Sequence, residues 1–166
     1  MRIIAIIIFL MPVMAFGQNT NVSKASVNYV NVDVDDGWVD ASVDGWGASF
    51  DTAMNDKVIF QLDWFRLSED GVSADLSIFS AGYAFGSLSE GSWFVGAARF
   101  DSDVADSAET EIEVGYSKIS GDGSDWSISY VDEGIRGEVH TPSGFSIGIL
   151  TDGDVTVLNL GYHIRF

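Results

Sequence analysis

The chain has 166 residues, enough for one domain but fewer than two domains of ordinary size need. It has no cysteine, which excludes disulfides, thiolate metal sites and a lipid-anchored N-terminal cysteine. Its formal net charge of -17, with only eight Lys and Arg, excludes a nucleic-acid binder that relies on a basic surface. High aromatic content (13%), 18 Gly and two Pro are typical of an all-β protein.

The first 17 residues, MRIIAIIIFLMPVMAFG, have the three parts of a secretory signal peptide. Arg2 gives a basic start, an apolar run follows, and small residues stand at the cleavage position. A membrane anchor is disfavoured, because the apolar run ends near Pro12 and is shorter than the roughly 20 residues of a spanning helix. We therefore expect cleavage after Gly17 and export of a mature domain covering residues 18–166.

The mature chain shows apolar residues with period two, in segments of about 7 to 12 residues, rather than at helical spacing. Ten such segments predict ten strands. In chain order they are ASVNYVNVDV, GWGASFDTAM, KVIFQLDWF, LSIFSAGYAF, SWFVGAARFD, TEIEVGYSKI, SDWSISYV, IRGEVHT, GFSIGIL and VLNLGYHIRF. The face of the first segment is ambiguous, and the alternation in IRGEVHT is the weakest of the set.

The connections between these segments alternate in character. ND, GSLSEG, SGDG and PS are short or turn-like, whereas DDGWVDASVD, LSEDGVSAD and DSDVADSAE are longer and acidic. The last two connections at the acidic end, DEG and TDGD, are short. Consecutive hairpins with two distinct ends predict an all-β, antiparallel up-and-down barrel. Ten strands are favoured, and eight stay possible if the stretch from WSISYV to VHT is a folded loop.

The two faces of the predicted strands differ in a way that indicates a transmembrane barrel. One face carries bulky apolar residues, while the other is rich in small ones such as Gly47, Gly82 and Gly115. A soluble sheet exposes a charged face, often with Lys, and the chain has only three lysines. A membrane barrel points its bulky residues at lipid and its small ones inward. A soluble exported barrel that carries a ligand is the alternative fold.

The signal peptide, the alternating strands with acidic connections and the last strand, LNLGYHIRF, together resemble the small bacterial outer-membrane β-barrel proteins of the porin-like, opacity-type group. In that group a terminal aromatic residue, with apolar residues at alternate preceding positions, resembles the signal read by the outer-membrane assembly machinery. Four residues match it: Leu160, Tyr162, Ile164 and Phe166. The resemblance implies a Gram-negative outer membrane, short periplasmic turns and outward-facing loops, but no single activity. We expect a monomer whose partners are outer-membrane lipids, lipopolysaccharide and that machinery.

The inward face is predicted to hold a network of paired charges. Arg99 and Glu111 belong to consecutive strands, so we expect them side by side in the lumen. The other predicted members on this face are Asp51, Asp63, Glu113, His163 and Arg165, with Gln61 and Asn159 beside them. Charges removed from water need partners, so we interpret this network as structural lining.

Catalysis and metal binding are weakly indicated. A lipid-modifying enzyme needs a His within about 3 Å of a Ser, with an orienting acid. The predicted register of the last hairpin puts Ser146 near Asn159, out of reach of His163. In DVDDGWVDASVD, Trp38 stands where a calcium-binding helix-loop-helix has Gly. The sequence therefore predicts no catalytic residue, no cofactor and no specific metal site, and leaves open whether the acidic loops bind divalent cations loosely.

A barrel of eight to ten strands is largely filled by side chains, which disfavours an open pore. The functional prediction is therefore a structural or surface-interaction barrel that displays acidic extracellular loops. A narrow porin-like channel for small cations or solutes is the second choice, and a lipid-modifying enzyme is the third.

Overall fold

The computed structural model is a closed barrel of ten strands. It describes residues 22–35, 40–69, 72–103, 108–120, 122–131 and 134–166, so the predicted signal peptide and its cleavage site lie outside the described residues. The strands are β1 (Val22–Asp35), β2 (Asp40–Met54), β3 (Val58–Glu69), β4 (Val72–Ala84), β5 (Ser92–Ser102), β6 (Glu109–Ile119), β7 (Asp125–Val131), β8 (Gly134–His140), β9 (Phe145–Thr151) and β10 (Val155–Arg165). In this part of the chain, no helix has the length and apolar character needed to cross a membrane.

Each strand pairs antiparallel with its neighbours in chain order, and β10 pairs with β1 to close the barrel. The predicted all-β, up-and-down barrel is therefore confirmed. The count is ten rather than eight, because β7 and β8 pair as a hairpin from Asp125 opposite His140 to Val131 opposite Gly134. Closure leaves no unpaired edge among these ten strands, which removes the usual template for aggregation.

The connections that follow β2, β4, β6 and β8 lie at one end of the barrel, here called the turn end, and those that follow β1, β3, β5, β7 and β9 lie at the other end, here called the loop end. Asn55 and Asp56 both have positive φ (54° and 58°), the geometry of a type I′ turn that matches the strand twist. In the turn between β6 and β7, the hydroxyl and the N–H of Ser124 donate to Asp122 (2.7 and 2.9 Å). These bonds hold the pKa of the Asp122 carboxyl below its ordinary value.

The strands reach further towards the loop end than the alternation predicted. Most of DDGWVDASVD and most of LSEDGVSAD, predicted as long acidic loops, lie in paired strand. The physical reason is on the inward face, where Val43 lies opposite the buried Val32 and Leu67 packs against apolar residues of the lumen. Many of the acids therefore project from paired strands, and the prediction of long loops is wrong for these two segments.

Apolar side chains fill the lumen towards the loop end. The upper cluster consists of Val30, Val32, Phe65, Ile78 and Val157, all buried, with Phe65 only 1% exposed. A smaller lower cluster, near the turn end, consists of Ala53, Ala84, Leu88 and Phe94. Polar side chains occupy the lumen between the upper cluster and the turn end, beside the lower cluster.

Candidate functional site

The outer wall of the barrel carries a band of exposed apolar side chains to which every strand contributes, here called the apolar belt. Its large members are Val27, Tyr29, Trp46, Trp64, Phe79, Tyr83, Trp93, Val95, Ile112, Val114, Trp126, Ile128, Tyr130, Ile135, Val139, Phe145, Ile147, Ile149, Leu158, Leu160, Tyr162, Ile164 and Phe166. A contiguous apolar surface of this extent marks a surface that contacts lipid or another protein.

Aromatic pairs lie at both margins of the apolar belt. Towards the loop end, the rings of Tyr29 and Trp46 contact edge to face, with centroids 5.5 Å apart. Towards the turn end, Tyr116 lies between Trp93 and Trp126, at 5.7 and 5.3 Å. Two aromatic margins of this kind are typical of the interfacial girdles of membrane proteins.

On the loop side of the belt the outward side chains become polar, and these residues form the polar rim. The Asn31 amide donates to Ser42 (2.9 Å) and Asp44 (3.0 Å), all outward-facing. Arg66 Nε lies 3.0 Å from Asp75 Oδ1. The change from apolar to polar occurs within single strands, so it marks a sharp boundary on the barrel wall.

Arg99 belongs to this polar rim, and its predicted place in the lumen is wrong. Its side chain is exposed, with a long contact of 3.5 Å to Thr110 Oγ1. Glu111 lies opposite Ala98, which is fully buried on the inward side. The reason lies in β5, where Phe94 and Phe100 pack into the lower and upper clusters and turn the bulky face inward. Arg99 and Glu111 therefore do not pair.

The other predicted lumen residues point into the barrel. Asp51, Asp63, Glu113 and His163 are buried, and Arg165 is half-buried beside them. Their pairing partners on neighbouring strands are mostly small or polar, for example Gln61 opposite Asp51 and Ser26 opposite His163. The small partners leave room for long side chains to cross the lumen.

In the middle of the lumen, Arg136 of β8 reaches across to β3 and β4. Its guanidinium forms an ion pair with Asp63 and donates to Ser80 Oγ at 2.9 Å. Close by in the lumen, Glu113 accepts a hydrogen bond of 2.6 Å from the Ser129 hydroxyl. These bonds compensate part of the cost of removing the charges from water.

Nearer the turn end, Lys24 of β1 is the centre of a second group. Its ammonium donates to His140 Nδ1 (2.9 Å) and lies 3.3 Å from Asp125 Oδ2 and 3.8 Å from Asp51 Oδ2. Asp125 also pairs with Arg165 of β10. The ring of His140 meets that of His163 edge to face, with centroids 4.9 Å apart. First, middle and last strands are thus joined through charged side chains.

Sequence reasoning missed five central members of this network: Lys24, Asp125, Arg136, Glu138 and His140. The signal for three of them was available, because alternation in IRGEVHT puts Arg136, Glu138 and His140 on one face. Lys24 stands one residue before the first predicted strand, and Asp125 lies in the seventh segment at its turn end. Which strands face one another across the lumen follows only from closure.

The last hairpin also differs from its predicted register by two residues. Leu150 lies opposite Val157 rather than Val155, so Ser146 lies opposite Gly161 and, on its other side, His140. Pairing of Thr151 with Thr156 at the turn causes this shift. Ser146 Oγ is buried and has no hydrogen-bond partner among the described residues, so it forms no Ser–His pair there.

Comparison with known proteins gives structural matches only. Neisserial surface protein A matches with a TM-score of 0.37 and 16% identity, covering 87% of this chain and 95% of that chain. Outer membrane protein OprG from Pseudomonas aeruginosa matches with a TM-score of 0.37 and 15% identity, covering 90% of this chain and 98% of that chain. A third match is Ail, the attachment invasion locus protein of Yersinia pestis, in complex with the heparin analogue sucrose octasulfate. Its TM-score is 0.35 and its identity 14%, and the match covers 87% of this chain and 99% of that chain. No protein-family model and no curated protein matches the chain.

Proposed function

We propose that the protein is a bacterial outer-membrane β-barrel with a structural or surface-interaction role and no catalytic one. The observation that supports this most directly is the apolar belt on the outside of a closed barrel. In lipid every backbone polar group needs an internal partner, so closed barrels and helices are the structures that span membranes. A soluble ligand-carrying barrel has the opposite arrangement, with its bulky apolar residues inside.

The proposal extends to location and lipid partners. Residues 1–17 serve as a signal peptide cleaved after Gly17, and the mature barrel inserts as a monomer. Arg66 and Arg99 lie on the polar rim, next to the margin of the belt, where phosphates of lipopolysaccharide or other outer-membrane lipids would be within reach. Guanidinium groups pair well with phosphates, which supports lipid contact at this level.

The surface beyond the rim is acidic. Asp33, Asp44, Asp101 and Asp103 are exposed on the extended strands and their adjoining turn. A surface whose charges all have the same sign stays soluble and attracts partners or counter-ions of opposite charge. Display of this acidic extension outside the cell is the surface-interaction part of the proposal.

A narrow channel stays the second choice, and the upper cluster argues against it. Phe65 and Val30 are almost fully buried in the lumen, where an aqueous path would need polar lining. The measurement for this choice is planar-bilayer conductance of the purified protein, for which we expect no channel events. Regular single-channel conductance steps would contradict the structural role and indicate a transport role.

Fractionation and gel mobility test the membrane proposal. The protein is expected in the outer-membrane fraction, and its detergent-extracted form should migrate differently before and after boiling, since a closed barrel resists unfolding by detergent. Recovery as a soluble periplasmic protein with one mobility would exclude the proposal.

Val114→Arg tests the same proposal at one residue. Val114 lies in the apolar belt and is 45% exposed, so in water an Arg there would change the free energy of unfolding by less than about 0.5 kcal/mol. In a bilayer the same change is expected to cost about 2–4 kcal/mol. The measurement is urea unfolding of barrel folded in lipid vesicles. Ser73→Arg, at an exposed position on the loop side of the belt in β4, is the control and should cost about 0–1 kcal/mol.

We also propose that Leu160, Tyr162 and Ile164 of β10, with Phe166 directly after it, form the assembly signal. These side chains all face outward, and the Phe166 ring lies 6.3 Å from that of Phe50. Phe166→Ala is expected to lower the yield of assembled barrel in cells severalfold while leaving purified, folded protein about as stable. Phe50→Ala, which removes the other ring of the pair, is the control and should not lower the yield. Equal yields from both variants would make Phe166 an ordinary girdle residue.

A further inference from the structure

We propose that Asp51, Glu138 and His140 form a binding site for a divalent transition-metal ion such as Zn²⁺ inside the barrel. The three residues come from β2 and β8, which face each other across the lumen near the turn end. One ligand atom from each lies within 4.8 Å of the other two. An imidazole nitrogen with two carboxylate oxygens matches the three-ligand sites in which water completes the coordination of zinc.

The distances between ligand atoms already fit a metal. Zn–N and Zn–O distances of about 2 Å at tetrahedral angles place two ligand atoms about 3.3 Å apart. His140 Nε2 lies 3.3 Å from Glu138 Oε1 and 3.6 Å from Asp51 Oδ2. Small side-chain movements would therefore complete the coordination sphere.

Two buried polar atoms of this group lack partners among the described residues. His140 is 3% exposed and its Nε2, which faces both carboxylates, makes no hydrogen bond. Asp51 is 9% exposed and its Oδ1 is likewise unbonded. Buried polar atoms are nearly always satisfied, so two unsatisfied atoms in one group call for a bound ion or ordered water.

The charge of the lumen favours a dication. Five nearly buried carboxylates, those of Asp51, Asp63, Glu113, Asp125 and Glu138, face three basic groups, those of Lys24, Arg136 and Arg165. Among the described residues, two negative charges of this group therefore exceed the basic groups that face them when all five acids are ionised. A divalent ion between Asp51 and Glu138 supplies the missing charge where two of these acids converge.

Neighbouring side chains fix the orientation of the ligands. Lys24 donates to His140 Nδ1 at 2.9 Å, which directs Nε2 towards the carboxylates, and Gln61 donates to Glu138 Oε2 at 2.9 Å. With Nδ1 accepting from Lys24, the ring proton of the neutral imidazole sits on Nε2. Binding of the ion to Nε2 requires the other neutral tautomer, so this proton moves to Nδ1 and the Lys24 ammonium turns to its carboxylate partners Asp125 and Asp51.

The lumen beside the three ligands has room for an ion and a path by which the ion can enter. A cavity of about 60 Å³ borders Asp51, Glu138 and His140 and extends to Val22 and Ile119 at the turn end. This volume holds an ion with one or more waters, since a single water needs about 10–15 Å³. The ion would therefore enter from the turn end of the barrel.

Titration calorimetry tests the site on the full mature barrel, folded in detergent and treated with EDTA. We expect one Zn²⁺ per chain, and no comparable heat with Ca²⁺, which prefers six to eight oxygen ligands. His140→Gln and Glu138→Gln are each expected to weaken Zn²⁺ binding by at least about 10- to 100-fold, because even contacts to a ligand have effects of this size.

A matched variant separates ligation from general charge. Glu113→Gln removes a buried carboxylate that is hydrogen-bonded to Ser129 rather than to a ligand, so it should change Zn²⁺ affinity by less than about threefold. If the ligand variants do not fold, the visible absorption of Co²⁺ bound to the unaltered barrel reports a nitrogen-containing tetrahedral site. Absence of stoichiometric Zn²⁺ binding, equal losses in ligand and control variants, or equal binding of Ca²⁺ would overturn the proposal.

Discussion

Arg136→Met is expected to destabilise the folded barrel by about 3–5 kcal/mol, the cost of leaving a buried carboxylate without its partner. Arg136 is 8% exposed, pairs with Asp63 and donates to Ser80. The substitution keeps an unbranched chain in the lumen and removes the charge and all the donors. Urea unfolding in detergent micelles or vesicles measures the loss. Arg99→Met, on the polar rim, is the control and should change the free energy of unfolding by less than about 0.5 kcal/mol.

A second substitution decides whether the loss comes from the unpaired acid. Arg136→Met combined with Asp63→Leu removes both charges, and replacement of a buried ion pair by apolar residues is often close to neutral. We therefore expect the double variant to recover most of the stability lost in Arg136→Met. A single variant that loses less than about 1 kcal/mol, or a double variant that loses more than the single, would contradict the assignment of Arg136 as the central cation of the lumen.

Phe65→Ala is expected to cost about 3–5 kcal/mol as well, through a different mechanism. The Phe65 side chain is 1% exposed and lies in the upper cluster among Val30, Ile78 and Val157. Because the strands around it are held by backbone pairing on both sides, the cavity left by the ring closes only in part. The measurement is again the free energy of unfolding in urea.

Phe65→Leu provides the graded comparison for this prediction. It retains most of the apolar volume, so it should cost less than about 1.5 kcal/mol. If the alanine variant is as stable as the leucine variant, the upper cluster is not a close-packed core, and the lumen at that level is open to water.

The orientation of most strands could be predicted because side-chain bulk and period two agree. In β10, even-numbered residues such as Tyr162 and Ile164 are exposed, while His163 between them is buried, as the pattern indicates. The pattern fails in β5 because both faces are apolar, so side-chain bulk alone does not indicate whether Trp93 or Phe94 points outward. Phe94 points inward because it packs with Leu88 in the lower cluster.

The extent of the strands and the contents of the lumen were harder to predict for a related reason. Acids in DDGWVDASVD indicate a loop when taken alone, but Val43 of this segment pairs with Val32, which packs with side chains of β3, β4 and β10 that lie far away in the sequence. The lumen site has the same property, since Lys24 and His140 are 116 residues apart. Local patterns identify which face a residue occupies, and closure identifies which residues meet.

The pairing of β1 with β10 also has a consequence for the order of folding. Lys24 lies opposite Arg165 in that pairing, and both contact Asp125 of β7. A sheet whose ends have not met leaves these charges facing a half-formed lumen without their full set of partners. Contacts between such distant parts of a chain form slowly, because a long loop must close before they are made. Unpaired charges in the polar interior therefore destabilise open intermediates. The ion pairs form completely only after β1 has paired with β10, late in assembly.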